Sequence, residues 1–317
     1  MPYDPAPGIK PASGPGFHVC PLPCVEPPRR VQHDLTAAVS FGTISQCSRP
    51  VDTVLLVKEL RVVAEDSVAS VIVDRPAKRN ALTQHMWAEL TKIARAVAGD
   101  PRIRVVVVRS GVAGVFSAGA DIGEYRAHAG DVSWGVRSQA RVEEALAALR
   151  QIPVPTIAVI DGPCMGGGGG IAIACDFRVA TDRAVFAITA ARLGLVFPFP
   201  EVAALVDLVG AAAAKRILLT GGIFDAEWAR QARLVDTVCA AAELPAELAR
   251  WIAELGGAAP GSVRAMKRMI SLVVSGQRAA TDETREMLLA ALSGDEHREG
   301  VTAFLEGRPP TFVAPSA

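Results

Sequence analysis

The sequence predicts an α/β fold in which βαβ units form a largely parallel sheet and the C-terminal third is mostly helix. Three observations predict it. Apolar runs of strand length, such as residues 104–109 (RVVVVR) and 156–160 (TIAVI), alternate with helical patterns. The run at 104–109 is apolar on both pleat faces, as in a strand covered from both sides. From about residue 201 onward the apolar spacing is helical.

Ordered sequence is expected to begin near Leu55. Residues 67–74 alternate like a half-buried strand. Thr83 reads as a helix N-cap, because Met86, Leu90, Ile93, Ala94 and Val97 follow at helical spacing. After strand 104–109 comes a Gly-rich loop over 110–123, then a helix over roughly 132–150. Strand 156–160 leads through a glycine turn into an apolar helix over 167–175, and a strand follows at 177–180. Parallel strands joined this way imply right-handed crossovers. Further helices are predicted near 211–220, 225–232, 244–255, 260–275 and 278–292.

Residues 1–50 contain ten of the 22 prolines and no apolar periodicity. Proline fixes φ and removes a donor, so residues 1–52 read as an extended arm. Residues 53–255 form the predicted core and 256–317 a helical region. A start assigned too far upstream would also explain the arm. No methionine lies between Met1 and Met86, so a shorter product would begin at a non-Met codon near Val51–Val57.

Composition narrows the function. Half of the 317 residues are hydrophobic and only 5% are aromatic, so the core rests on Ala, Val, Leu and Ile. The 33 basic and 33 acidic residues cancel, which gives no general attraction to nucleic acid or anionic membrane. No uncharged apolar stretch is long enough to span a bilayer, and the N-terminus lacks a secretory pattern. The six scattered cysteines suit a reducing compartment, and a cytoplasmic location is expected. Cys20 and Cys24 lie near His18 and His33, but a second Cys pair is lacking and no metal is expected.

The most distinctive stretch is Asp161-Gly-Pro-Cys-Met-Gly-Gly-Gly-Gly-Gly170, between a strand and an apolar helix. Glycines admit close approach to the backbone, and a helix N-terminus offers unpaired N–H groups. Three readings compete: a close-packed turn, a dinucleotide loop, and one half of an oxyanion hole. The dinucleotide reading uses Gly167, Gly169 and Ala172 but lacks a well-placed acid, since Asp182 comes too early. The oxyanion reading needs a second donor, and residues 114–122 (GVFSAGADI) supply a candidate loop. Val115 stands where a serine-hydrolase elbow needs glycine, which argues against Ser117 as a nucleophile.

Taken together, these residues resemble the enoyl-CoA hydratase/isomerase (crotonase) superfamily over about residues 58–312. The matching blocks are Arg75-Pro-Ala-Lys-Arg-Asn-Ala-Leu82, Phe116-Ser-Ala-Gly-Ala-Asp-Ile122, Gly162 with Gly166–Gly168, Cys175-Asp176, Thr220-Gly-Gly with Ala226 to Val235, and Arg298 to Phe304. They occur in the family's order. The resemblance implies a crotonase-like (ββα)n spiral core with a C-terminal helical trimerisation region, assembling as a homotrimer or homohexamer. It implies an acyl-CoA substrate, with no cofactor beyond the CoA the substrate carries. The oxyanion donors would be the N–H groups of Ala120 and Gly167, beside Gly166. Lys78, Arg79 and Ala81 would contact CoA. Asp121 and Ile122, with Ala120, would line the adenine and pantetheine path, and Phe304 and Arg308 would close over CoA. The residues alone favour reading Lys78 and Arg79 as a solvated pair at a helix start.

The pattern also breaks. Family hydratases carry two glutamates, and the matching positions here are Gly170 and Ala190. Proton transfer by such groups is worth ~10²–10⁴-fold in rate, so a two-glutamate hydration is not expected. An acid used by other members falls at Pro198. Glu201, just beyond it, is a candidate base, or else an exposed acid at a helix start. Glu124, Asp121 and Asp161 are weaker candidates, and Asp121 reads as a residue that holds its loop. A water or an anion such as bicarbonate would fit the space at Gly170. Phe197 and Phe199 are expected to line the acyl pocket or to pack the core. Two functions follow: a lyase or isomerase acting on acyl-CoA, or a catalytically silent acyl-CoA-binding or assembly subunit of the same fold. The start-site alternative makes a separate prediction: an intact mass of the native protein matching the full 317 residues rules out the shorter product.

Overall fold

The computed structural model describes residues 55–312. The arm expected over residues 1–52, and the His18, Cys20, Cys24 and His33 group weighed for zinc, lie outside the described residues. Seven strands form the larger sheet in the order β1 (Leu55–Val57), β2 (Leu60–Glu65), β3 (Val68–Val73), β4 (Val105–Ser110), β5 (Thr156–Ile160), β7 (Phe177–Thr181) and β10 (Thr237–Cys239). The first three pair antiparallel, and from β3 onward every pairing is parallel. A smaller sheet holds β6 (Pro163–Met165), β8 (Val185–Ala187) and β9 (Phe224–Asp225).

Local chemistry explains the main elements. Thr83 caps α1 (Gln84–Ala98), its hydroxyl accepting from the Met86 N–H at 3.2 Å. The helix buries Met86, Leu90, Ile93, Ala94 and Val97 as the spacing predicts. α2 is Ile122–Ala127 and α3 is Val132–Arg150, so a helix starts within the stretch expected to be loop. Strands β5 and β7 each pass within three residues or fewer into a strand of the smaller sheet, and a helix follows. These are the ββα turns of the spiral core: β5, β6 and α4 (Gly167–Ala174), then β7, β8 and α5 (Phe199–Thr220).

Glycines make α4 a poor helix by propensity. Burial of Ile171, Ala172, Ile173 and Ala174 offsets this. The buried Arg178 side chain also donates to the carbonyls of Ala172 (3.3 Å) and Cys175 (2.7 Å) at the helix end. The other face of the large sheet carries Val105, Val107, Ile157, Val159 and Val179, covered by Leu248, Trp251 and Ile252 of α7 (Leu244–Gly256).

The C-terminal third departs from the sequence reading in three ways. The helix expected near 211–220 is the second half of α5, which kinks at Gly210 (φ 76°, ψ 159°). Strands β9 and β10 interrupt the helices on either side of α6 (Ala226–Gln231), and both are too short to show a period. After α8 (Pro260–Val274) and α9 (Asp282–Ser293), the block at Arg298 to Phe304 is itself helical, in α10 (Asp295–Glu306). Lys267 fixes α8 to the core by pairing with Asp176 and donating to the Val154 carbonyl at 2.9 Å. Ile270, Val274, Leu288, Leu292 and Phe304 remain exposed on these last helices.

Candidate active site

Two segments meet at the site, and backbone hydrogen bonds bring them together. Asn80 is fully buried and anchors the first. Its Oδ1 accepts from the Arg75 N–H (2.8 Å), and its Nδ2 donates to Ser110 Oγ (2.7 Å) and the Phe116 carbonyl (3.0 Å). Its φ of 57° lies in the left-handed region that asparagine tolerates. Ser117 Oγ donates to the Asn80 carbonyl at 2.8 Å and accepts from the Gly119 N–H, which occupies it structurally. The loop is then closed from both sides. Leu82 donates to the Gly119 carbonyl (2.7 Å) and accepts from the Asp121 N–H (2.9 Å). On the other side Phe116 and Ser117 both donate to the Pro163 carbonyl, and Met165 donates to that of Ser117.

This pairing has a geometric consequence. In the parallel bridge between Leu82 and Ala120, the bonds run to residues 119 and 121, so the Ala120 N–H points away from Leu82. Close by lies Gly167, the first residue of α4, whose N–H has no intrahelical partner. A Cβ built on Gly167 would lie 3.5 Å from the Ala120 nitrogen and 2.9 Å from Cζ2 of the buried Trp87. A Cβ on Gly168 would lie 2.8 Å from that of Ser117. Glycine is what lets the two backbones approach. Among the described residues, neither the Ala120 nor the Gly167 N–H has a hydrogen-bond acceptor.

Both amides border one cavity of about 130 Å³. Ile122 and Tyr125 of α2, Gln139, Val142 and Leu146 of α3, Gly166, Gly170, Ala190 and Phe197 complete much of its wall. Leu146 comes close to Gly170: a Cβ there would lie 2.9 Å from its Cδ1. Phe197 lines the cavity, but Phe199 does neither of the things expected of it, being 83% exposed at the start of α5.

Glu201 also lines the cavity, and its expected exposure is corrected: it is 0% exposed. Arg150, the last residue of α3, holds both its oxygens, Nη1 to Oε2 at 2.7 Å and Nη2 to Oε1 at 3.1 Å. Such a two-pronged pair is both directional and strong. Sequence reasoning missed Arg150 because the pairing spans 51 residues and no local pattern joins them. It also missed Asn80, Trp87, Tyr125 and Leu146. Asn80 stands inside the Arg75 to Leu82 block and Leu146 lies on a helical stripe with Val142, whereas Trp87 and Tyr125 left no signal.

The other predicted residues lie off the cavity. Lys78 and Arg79 are exposed, Arg79 closing a short helical turn at Pro76–Lys78. Ala81 is buried, and its carbonyl accepts from Arg75. Asp121 caps α2 through the Gly123 N–H (2.9 Å) and pairs with Arg75 at 2.7 Å. Asp161 pairs with Arg183, and a Glu124 oxygen accepts from the Gln84 N–H at 2.8 Å. Phe304 is 85% exposed on α10, and Arg308 is paired with Glu299 and Glu306. Among the described residues no group of His, Cys, Asp and Glu could hold a metal ion, and no helix is long and apolar enough to cross a membrane.

The Enoyl-CoA hydratase/isomerase family model matches residues 63–315. The chain belongs to this family. It is 34% identical over 251 residues to the mouse enoyl-CoA hydratase domain-containing protein 2, mitochondrial, covering 78% of this chain and 84% of that protein. It is 29% identical over 249 residues to the mouse methylglutaconyl-CoA hydratase, mitochondrial, covering 76% and 77%. Among solved structures, an enoyl-CoA hydratase/carnithine racemase from Magnetospirillum magneticum superposes with a TM-score of 0.78 at 31% identity, covering 81% of this chain and 96% of that one. Proteins of the enoyl-CoA hydratase/isomerase family use acyl-CoA substrates, and the fold described above is the crotonase fold.

The hydrogen bond from Arg75 holds the Asp121 carboxyl below its ordinary pKa; partial burial pulls the other way, and the Gly123 amide adds to the lowering. A carboxyl whose pKa is lowered by folding stabilises the fold above its unfolded pKa of about 3.9, and loses that contribution as pH falls through the folded value. Asp121→Asn is therefore expected to be less stable than the native chain at neutral pH. Urea denaturation should show the gap closing as pH falls below the ordinary carboxylate range; a gap independent of pH contradicts the assignment.

Proposed function

We propose that this chain is an acyl-CoA thioester-processing enzyme of the lyase or isomerase type, which stabilises a thioester enolate with the N–H groups of Ala120 and Gly167. One observation carries the reading: these two amides are unpaired among the described residues and border the same cavity, one of them at a helix N-terminus. An enolate places negative charge on the thioester oxygen. Two donors fixed beforehand stabilise it without reorganising, and loss of one such donor typically costs about 3–4 kcal/mol. Gly170 and Ala190 border the cavity without a carboxylate, so the usual two-glutamate hydration is not assigned. Glu201 is the one carboxylate lining the cavity among the described residues, and in this reading it carries the proton after releasing an oxygen from Arg150. Lys78, Arg79, Ala81, Asp121 and Ile122 face the CoA portion of the substrate.

A second reading, a silent acyl-CoA-binding or assembly subunit, is favoured by the engagement of both Glu201 oxygens with Arg150. Turnover of enoyl-CoA, 3-hydroxyacyl-CoA and malonyl-type thioesters separates the two. Turnover of at least one is expected, with kcat falling ~10²-fold or more in Glu201→Gln. The infrared carbonyl stretch of a bound thioester is expected to shift down through hydrogen bonding. Binding with no turnover leaves the silent subunit, and an unshifted stretch refutes the two-donor assignment.

Self-association belongs to the same reading. Ile270, Val274, Leu288 and Leu292 are exposed on α8 and α9, where a second copy would cover them. A homotrimer or homohexamer would do so and could bring Phe304 and Arg308 to the CoA of a neighbouring copy. A cytoplasmic, thiol-reducing setting suits the free Cys164, Cys175 and Cys239. Light scattering of the full chain should give the mass of three or six copies; a monomer at micromolar concentration counts against the assembly.

A further inference from the structure

We infer that this chain takes acyl-CoA thioesters with a long apolar acyl group, whose tail leaves the cavity over Leu193, Leu195 and Val196. The inference rests on reading that cavity as the acyl pocket, and adds the class of acyl group and the route of its tail.

Two walls of the cavity differ in chemistry. One is the edge at residues 118–122, which carries the Ala120 amide. Beside it Asp121 pairs with Arg75 and feels the charge of Lys78. Charged groups there suit the CoA portion and would be costly to cover with an alkyl chain. The other wall is drawn from one length of chain, from Ile188 after β8 to Glu201 in α5. It starts beside the glycine helix. The Gly166 N–H donates to the Ala187 carbonyl at 2.7 Å, and a Cβ on Gly169 would lie 3.6 Å from Cγ1 of Ile188. From Leu193 to Pro200 this wall reads Leu-Gly-Leu-Val-Phe-Pro-Phe-Pro, without one polar side chain.

The cavity is closed toward the core and open along this second wall. Trp87, Leu146 and Ile188 are buried, whereas Leu193, Leu195 and Val196 are 55%, 45% and 90% exposed. With about 130 Å³, the cavity has room for roughly four groups of water size, at about 30 Å³ each. A thioester carbonyl and about three further carbons fill that space. A longer acyl group must leave, and the way past Trp87 and Leu146 is packed core. Over Leu193 and Val196 it meets apolar surface instead, and tail and protein shield each other from water. A short or charged acyl group would leave that surface bare. Single exposed apolar side chains are ordinary, but three within four residues on the rim of one cavity form a patch that marks a binding surface.

Calorimetric titration of the full chain with saturated acyl-CoA thioesters, from butanoyl to dodecanoyl, tests the inference, because saturated thioesters report binding without turnover. Each half-buried methylene is expected to add about twofold in affinity, so dodecanoyl-CoA should bind ~10²-fold more tightly than butanoyl-CoA. In Val196→Asp and in Leu193→Asp, both at exposed positions that tolerate a charge, the ratio of the two affinities should fall about tenfold or more. Val196→Leu should keep it. A native ratio near one overturns the inference, because the tail then gains nothing on leaving. A native preference that both aspartate variants retain also overturns it, since the tail then takes another route or a neighbouring copy covers the segment; the acyl-CoA reading stands. Failure of every acyl-CoA to bind overturns both.

Discussion

The site depends on a short length of backbone, residues 116–121, paired on both edges. Asn80 and Leu82 hold one edge, and Pro163 and Met165 the other. Amides buried in a protein find partners almost without exception. Here the neighbours of Ala120 are all satisfied, and the alternation of a parallel bridge leaves its own N–H pointing outward. Gly167 arrives in the complementary state, as the first residue of a helix. The two free donors are thus what the pairing of residues 119 and 121 and the start of a helix leave over. Fixed geometry of this kind favours charge that develops on a substrate oxygen, since no donor needs to move to meet it.

The glycine run packs tightly and also leaves a helix N-terminal amide unpaired. Gly168 is pressed against Ser117 and Gly167 against Trp87, at spacings a Cβ would violate. A close-packed turn and an unpaired amide, which read as alternatives in the sequence, are not exclusive: one segment holds both. Helix α4 in turn relies on apolar burial and on Arg178 at its far end, because its glycines contribute little of their own.

Much of the framework could be read from local pattern. Thr83 and the apolar stripe after it announced α1, and the all-apolar runs at β4 and β5 announced strands covered on both faces. The donor pair could not be read that way, since backbone N–H groups leave no trace in residue type; family resemblance located Ala120 and Gly167. The exposed-acid reading of Glu201 fails for a related reason. Its position near a helix start suggests solvent, while its burial depends on Arg150 at the end of another helix. Phe199, three residues after Val196, looked like core by composition and lies outside it because α5 begins there with that side facing out. Beta strands of two or three residues, as at 224–225 and 237–239, are below the length at which alternation has meaning.

Leu146 has a consequence for how this chain relates to its hydratase relatives. Its Cδ1 lies 2.9 Å from where a Cβ at position 170 would sit. The two positions therefore share one volume, and substitutions there are not independent. A glutamate introduced at 170 alone meets a leucine, whereas a smaller residue at 146 first opens the space that a carboxylate could enter. Reaching a two-carboxylate site from here thus involves both missing acids, at 170 and 190, and a leucine on a second helix that must give way to the first of them.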